Sequence, residues 1–263
     1  MCHHPLSKAT SVSELDDYQW PNPCSEERLR GLEARVRDLG DEYRMVLEGF
    51  REANFGLASW LRGMVEFYMD LAGNPAFAHA LLDRLLDWQL KLADFVLGRI
   101  GKYVDIVKFA DDLGTQQNLL ISPAMYREFI KPRQARLYQF VKDKCDCPIL
   151  LHSCGAIRDI IPDLIEIGVD ALNPVQLTAS RMDARSLKEE FGQRITFWGG
   201  GIDTRNTLPH VTPQQVRQAV RQNSEALKPG GGFVFAQVHN IQPEVPVENI
   251  IAMVEAYQEC ASY

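Results

Sequence analysis

Residues 147–176 read CPILLHSCGAIRDIIPDLIEIGVDALNPVQ. PILL is a short continuous apolar run and reads as a strand buried on both faces. IRDIIPDLIEIG follows with helical spacing, and VDALNPVQ returns to an apolar strand. Strand, helix, strand is the repeating unit of a parallel sheet, because two parallel strands need a crossover between them. The first strand ends in His152-x-Cys154-Gly155. Residues i and i+2 of a strand share a face about 6.5 Å apart, and a glycine there lets the chain turn tightly. An imidazole and a thiol on one face suit a borderline cation such as Zn2+. A cysteine serving as a small hydrophobe, beside a histidine bonded to a carbonyl, explains the same residues without a metal.

The pattern repeats on both sides. Upstream, VDIVKFADDLG reads as a strand and loop, and SPAMYREFIKPRQARLYQFVKDK as a helix capped by Ser122 and broken at Pro132. Downstream, DARSLKEEFG is a helix, ITFWGGGID a strand, and TPQQVRQAVRQNSEALK a helix capped by Thr212. GGFVFAQVHN is the last strand and PVENIIAMVEAY the last helix, with Glu248-Asn249 as its cap. Toward the N-terminus lie a charged helix from about Glu26 to Leu39, a short strand YRMVLEGF, a helix over ASWLRGMVEFYMDLAG, and a long helix opened by Asn74-Pro75. Residues 1–17 read as a disordered or extended segment, and 18–263 as one barrel domain. Repeated βα units imply a parallel sheet covered by helices. The first strand is followed by no GxGxxG, which weighs against a dinucleotide fold. The fold class expected is therefore α/β, a TIM (β/α)8-type barrel. About six strands are legible where a full barrel needs eight, so either the barrel lacks its N-terminal strands or strands near the N-terminus are not legible in the pattern.

Bulk properties narrow the function. The net charge is -7, and a nucleic-acid face needs concentrated Lys and Arg. No apolar run is long enough to span a bilayer. The six cysteines are spread along the chain, which reads as reduced thiols and a cytoplasmic location. An open barrel would expose apolar edges, so a homo-oligomer is expected.

In a barrel the reactive residues sit at the C-terminal ends of the strands. VDIVKFA ends in Asp111-Asp112, followed by Gln116. Adjacent residues face different ways, so one aspartate points into the pocket, or else both cap the following turn. VDALNPVQ ends in Asn173 and Gln176, ITFWGGGID in a glycine run and Asp203, and GGFVFAQVHN in Gln237 and His239. Asp111, Asp112 and Asp203 are the candidate catalytic residues; Gln116, Asn173, Gln176 and Gln237 are candidates for holding substrate. His239 would complete a metal site with His152 and Cys154, and three protein ligands leave the open position of a catalytic zinc.

Taken together, FADDLGTQQNLLISPAMYREFIKP, LHSCGAIRDIIPDLIEIGVDALNPVQ, WGGGIDT and GGGFVFAQVHNIQPEVPVENI resemble the uroporphyrinogen decarboxylase superfamily. More narrowly they resemble its corrinoid-dependent methyltransferase branch, which includes the methylcobalamin:coenzyme M methyltransferases. The resemblance runs from about Tyr18 to the C-terminus. It implies a TIM barrel with Zn2+ at its mouth, held by an H-x-C pair and by a later Cys just before a P-x-x-P-x-E-N segment. His152 and Cys154 fall on the pair, and His239 stands where that Cys would be. It implies methyl transfer between a partner corrinoid protein, which carries the methylcobalamin, and a small-molecule acceptor or donor. The corrinoid is assigned to a partner because no D-x-H-x-x-G motif occurs here. The resemblance also implies a further N-terminal stretch that supplies the first strands. Uroporphyrinogen decarboxylation is the alternative, although the arginine-rich motif of the RQAGR kind is absent and that reaction needs no metal. A third reading is a non-catalytic, truncated barrel that binds a ligand or a corrinoid protein.

Overall fold

Among the described residues, six strands lie in the sheet in the order in which they occur in the chain. They are β1 (Val46–Glu52), β2 (Ile106–Ala110), β3 (Ile149–His152), β4 (Ala171–Asn173), β5 (Thr196–Trp198) and β6 (Phe233–Val234). The pairs β1–β2, β4–β5 and β5–β6 are parallel. A doubly wound sheet reverses its strand order partway, whereas a barrel-type winding advances one strand at a time. The order observed is of the second kind. The computed structural model describes residues 3–40 and 42–261. The chain divides into two compact units.

The first unit comprises Met1–Asp112, Ile121–Leu150 and Glu166–Val169. Its helices are α1 (Ser13–Asp17), α2 (Leu32–Leu39), α3 (Asn54–Arg62), α4 (Met64–Gly73), α5 (Pro75–Ile100), α6 (Pro123–Met125) and α7 (Lys131–Cys145). The long helix α5 forms because Asn74 accepts a hydrogen bond from Phe77 N–H and Pro75 occupies its first turn. Its apolar positions Phe77, Leu81, Leu85, Leu92 and Val96 recur at helical spacing and are buried.

Three expectations change here. The helix expected from Glu26 to Leu39 is a 3-10 turn, Glu26–Leu29, followed by α2, because Gly31 takes φ 73° between them. The helix expected over 58–73 is broken into α3 and α4 at Gly63, φ 96°. The break expected at Pro132 takes the form of a π-type turn, Tyr126–Ile130, after which α7 carries the proline in its first turn. There the missing N–H costs nothing.

The segment 1–17, expected to be disordered or extended, is folded over its described part. Leu6, Ala9 and Leu15 are buried, and the Arg62 guanidinium donates to Leu6 O at 2.6 Å. Met1 and Cys2 lie outside the described residues. The Glu14 carboxylate reaches back to the Thr10 and Ser11 backbone N–H groups at 2.8 Å each. The Thr10 N–H bond leads in drawing its pKa down to about 2, followed by the bonds from Ser11 and the Thr10 hydroxyl. A carboxyl lowered on folding stabilises above its unfolded value, and that contribution fades as pH falls through the folded one. The 10–14 turn is therefore expected to be fully held above about pH 4.5 and released as pH falls toward about 2. A carboxyl-carbon NMR titration of Glu14 checks this, and a midpoint near 4.5 would contradict it.

The second unit comprises Leu113–Leu120, Leu151–Ile165 and Asp170–Tyr263. Its helices are α8 (Ile161–Glu166, whose last residue belongs to the first unit), α9 (Ala184–Phe191), α10 (Pro213–Leu227) and α11 (Val247–Cys260). Thr212 and Gln215 form a full capping box at the start of α10. Val216 and Val220 of α10 pack with Ala252, Met253 and Ala256 of α11 into one buried cluster. Glu248-Asn249 does not cap α11 as expected. Pro246 is the N-cap residue, and Asn249 is buried, donating to Leu208 O and Val211 O at 2.8 Å each. Strand β6 is short, so residues 235–240 form a loop.

Two cysteines are not free thiols as expected: Cys145 and Cys147 are joined to each other. No helix among the described residues is long and apolar enough to cross a membrane.

Candidate metal centre

The turn after β3 answers why a buried strand ends in His-x-Cys-Gly. Gly155 has φ +90°. A Cβ placed on it would lie 2.4 Å from the carbonyl carbon of Gly114 and 2.6 Å from the oxygens of Gly114 and Thr115. Two backbones therefore meet where no side chain fits. The approach is held by Ala156 N–H donating to Thr115 O at 2.8 Å and by Leu113 N–H donating to Ser153 Oγ at 3.2 Å. Gln176 adds a third tie, its Oε1 accepting from Gly155 N–H at 2.7 Å. Cys154, between Ser153 and Gly155, is thus fixed by its neighbours.

His152 is oriented by Asn173. The Asn173 Nδ2 donates to Trp198 O at 3.0 Å, which leaves Oδ1 as the acceptor facing His152 Nδ1 at 2.6 Å. This assigns the proton to Nδ1 and the lone pair to Nε2. Nε2 lies 3.5 Å from Cys154 Sγ. His239 comes from the loop after β6, its ring 6.3 Å from that of His152 between centroids. One donor atom each from His152, Cys154 and His239 lies within 4.8 Å of the others. Two imidazole nitrogens and one sulfur, two of the three half-buried, fit a borderline cation such as Zn2+. A hydrogen bond on the second ring nitrogen fixes the tautomer and orientation of a histidine ligand, and Asn173 supplies it.

A cavity of about 430 Å3 opens beside this cluster, lined by Gln116, Cys154, Gln176, Asp203, Arg205 and His239 among others. The sequence reading missed Arg205. Its only signal was its position just after Asp203-Thr204, in a loop with no periodicity to read. Asp203 is 7% exposed and accepts from the N–H groups of Asn206 at 2.6 Å and Thr207 at 2.9 Å. It therefore shapes the loop that carries Arg205. Gln237 is half-buried in the loop after β6.

The remaining candidates lie in the first unit. Asp111 is fully buried. Its carboxylate accepts from Gly56 N–H at 2.7 Å, Phe55 N–H at 3.2 Å and Gln134 Nε2 at 3.1 Å. Asp112 is exposed.

Comparisons with known proteins bear on the family and the fold. A 25% identical uroporphyrinogen decarboxylase of Thermus thermophilus aligns over 99% of this chain and 72% of its own length. A methylated-thiol--coenzyme M methyltransferase of Methanosarcina mazei is 23% identical over 93% of this chain and 62% of its own length. A solved structure, a methyltransferase from Methanosarcina mazei, superposes with a TM-score of 0.68 at 23% identity. It covers 89% of this chain, and the chain covers 64% of that structure. The chain thus spans about two thirds of the length of these relatives. The uroporphyrinogen decarboxylase (URO-D) family model matches residues 4–260, and the chain belongs to that family.

Proposed function

We propose that this chain is a zinc-dependent methyltransferase acting in the cytoplasm, moving a methyl group between a corrinoid protein and a small-molecule acceptor or donor. The observation that carries the proposal is the convergence of His152, Cys154 and His239 within 4.8 Å, with His152 pre-oriented by Asn173. When bound, Zn2+ supplies Lewis acidity, lowering the pKa of a coordinated thiol or similar acceptor, or polarising a methyl donor.

The chain's own part is positioning. Asn173 keeps the His152 Nδ1 proton in place, so that Nε2 faces the cluster. The Gly155 turn presents Cys154. Gln116, Gln176 and the loop held by Asp203 wall the cavity, and Arg205 contributes a fixed positive charge to it. Asp111 caps α3 through Phe55 and Gly56 N–H. Self-association is in keeping with Trp60, Met64, Val65 and Met69, which are exposed on α3 and α4.

Chain purified without chelator is expected to hold one zinc, and His152→Ala to weaken its affinity at least 100-fold in a chelator competition. Asn173→Ala should weaken it about 10- to 100-fold, the range for supporting residues. A metal-free protein whose affinity neither variant alters would sink the proposal. Demethylation of methylcobalamin, followed by its absorbance, tests the transfer itself.

Decarboxylation is the second reading, favoured by the Thermus decarboxylase aligned over 99% of the chain. Release of coproporphyrinogen from uroporphyrinogen would establish it in place of methyl transfer. Turnover in either assay excludes a purely ligand-binding barrel.

A further inference from the structure

We propose that Cys145 and Cys147 form a reversible thiol–disulfide pair, a redox-modification site made of residues that the methyl-transfer reading does not use. Their sulfurs are bonded to each other, and their Cα atoms are 5.2 Å apart, inside the range that a disulfide spans. Local backbone brings them together. Helix α7 ends at Cys145, and Asp146 takes the left-handed conformation, φ 50° and ψ 35°, which aspartate tolerates better than most residues. Its N–H returns to Lys142 O at 2.8 Å. The chain therefore doubles back, and Cys147 faces Cys145.

The same positions serve two free thiols. Cys145 Sγ is 3.3 Å from Val141 O, and Cys147 Sγ is 3.2 Å from Val104 O. Each thiol formed on reduction has a carbonyl acceptor waiting, so opening the bond strands no polar group. The bond closes a loop with one intervening residue. It removes little freedom from the unfolded chain, since that effect grows with loop length. It therefore acts as a switch on one turn rather than as a staple of the fold.

Burial sets the order of events. Cys145 is half-buried, while Cys147 is 3% exposed. The Cys145 thiolate attacks a small-molecule disulfide such as oxidised glutathione, forming a mixed disulfide and displacing one glutathione thiolate. The Cys147 thiolate then attacks the Cys145 sulfur and displaces the second. The two protons released by the cysteines protonate the two leaving thiolates. Overall, two cysteine thiols are oxidised to a disulfide, and one glutathione disulfide is reduced to two thiols.

The test is to equilibrate the full chain in glutathione buffers from fully reduced to fully oxidised, quench with acid, alkylate and map peptides by mass spectrometry. The peptide carrying residues 145–147 should pass from doubly alkylated to unalkylated and cross-linked, and back again on reduction. Cys147→Ser should trap one glutathione on Cys145, whereas Cys145→Ser should leave Cys147 alkylated. A peptide that stays doubly alkylated in the most oxidising buffer overturns the proposal, as does a cross-link that persists in excess thiol. Equal trapping in both variants overturns the assigned order of attack.

Discussion

Gly155→Ala is expected to destabilise the protein by about 4 kcal/mol. The cost has two parts. A non-glycine residue at positive φ costs about 1–3 kcal/mol. Forcing a methyl group against atoms that cannot yield costs about 1–3 kcal/mol more, and here the atoms are backbone, at 2.4 Å from Gly114 and 2.6 Å from Thr115 O. Gly231→Ala separates the parts. Its φ is +83°, close to that of Gly155, but nothing lies within 4 Å of its added Cβ. It should lose only the conformational share, about 1–2 kcal/mol. Urea unfolding of both variants checks this, and equal losses would mean that the close approach of residues 114 and 155 does not demand glycine. Cys154 precedes Gly155, so on the proposed zinc reading the variant should also bind Zn2+ more weakly than wild type at temperatures where it is fully folded.

The two halves of this site differ in how readable they were. His152, Cys154 and Asn173 stand at or beside the ends of short apolar strands, and an apolar run that stops at polar residues and a glycine or proline marks such ends. That the Asn173 amide oxygen faces His152 depends on Trp198 O, which fixes the direction of the amide, and nothing local encodes that. Helix α5 was legible from its stripe and its Asn-Pro start. The helix expected over 58–73 was not divided correctly, because the glycine that breaks it resembles one tolerated inside a helix until its φ is seen. Leu6, Ala9 and Leu15 are too sparse to form a periodic pattern, yet each is buried on folding. Asn249 looked like a cap because cap residues are defined by local spacing, while its real acceptors, Leu208 O and Val211 O, lie 41 and 38 residues away. The joining of Cys145 and Cys147 depended on a left-handed aspartate that no composition rule would place there.

Asp111→Ala is the other large effect, about 4 kcal/mol. Helix α3 begins without a side-chain cap of its own, since its N-cap residue is Ala53. Asp111, just past the end of β2, supplies the acceptor across a separation of 55 and 56 residues, bonding Gly56 and Phe55 N–H. A carboxylate at a helix N-terminus also meets the positive end of the helix dipole. Removing it leaves the buried Phe55 N–H, the half-buried Gly56 N–H and the Gln134 amide without this acceptor, at about 1–3 kcal/mol for each donor left unsatisfied, reduced by relaxation. Asp111→Asn should fall between wild type and alanine, because one amide oxygen still accepts while the NH2 group opposes a backbone donor. Asp112→Ala, at an exposed position, should cost less than Asp111→Ala. Thermal unfolding of the three variants ranks them, and the ranking bears on chemistry as well as stability. If Asp111→Ala unfolds like wild type but abolishes turnover, the carboxylate is a catalytic group. A loss of stability that accounts for the loss of turnover assigns it to holding α3.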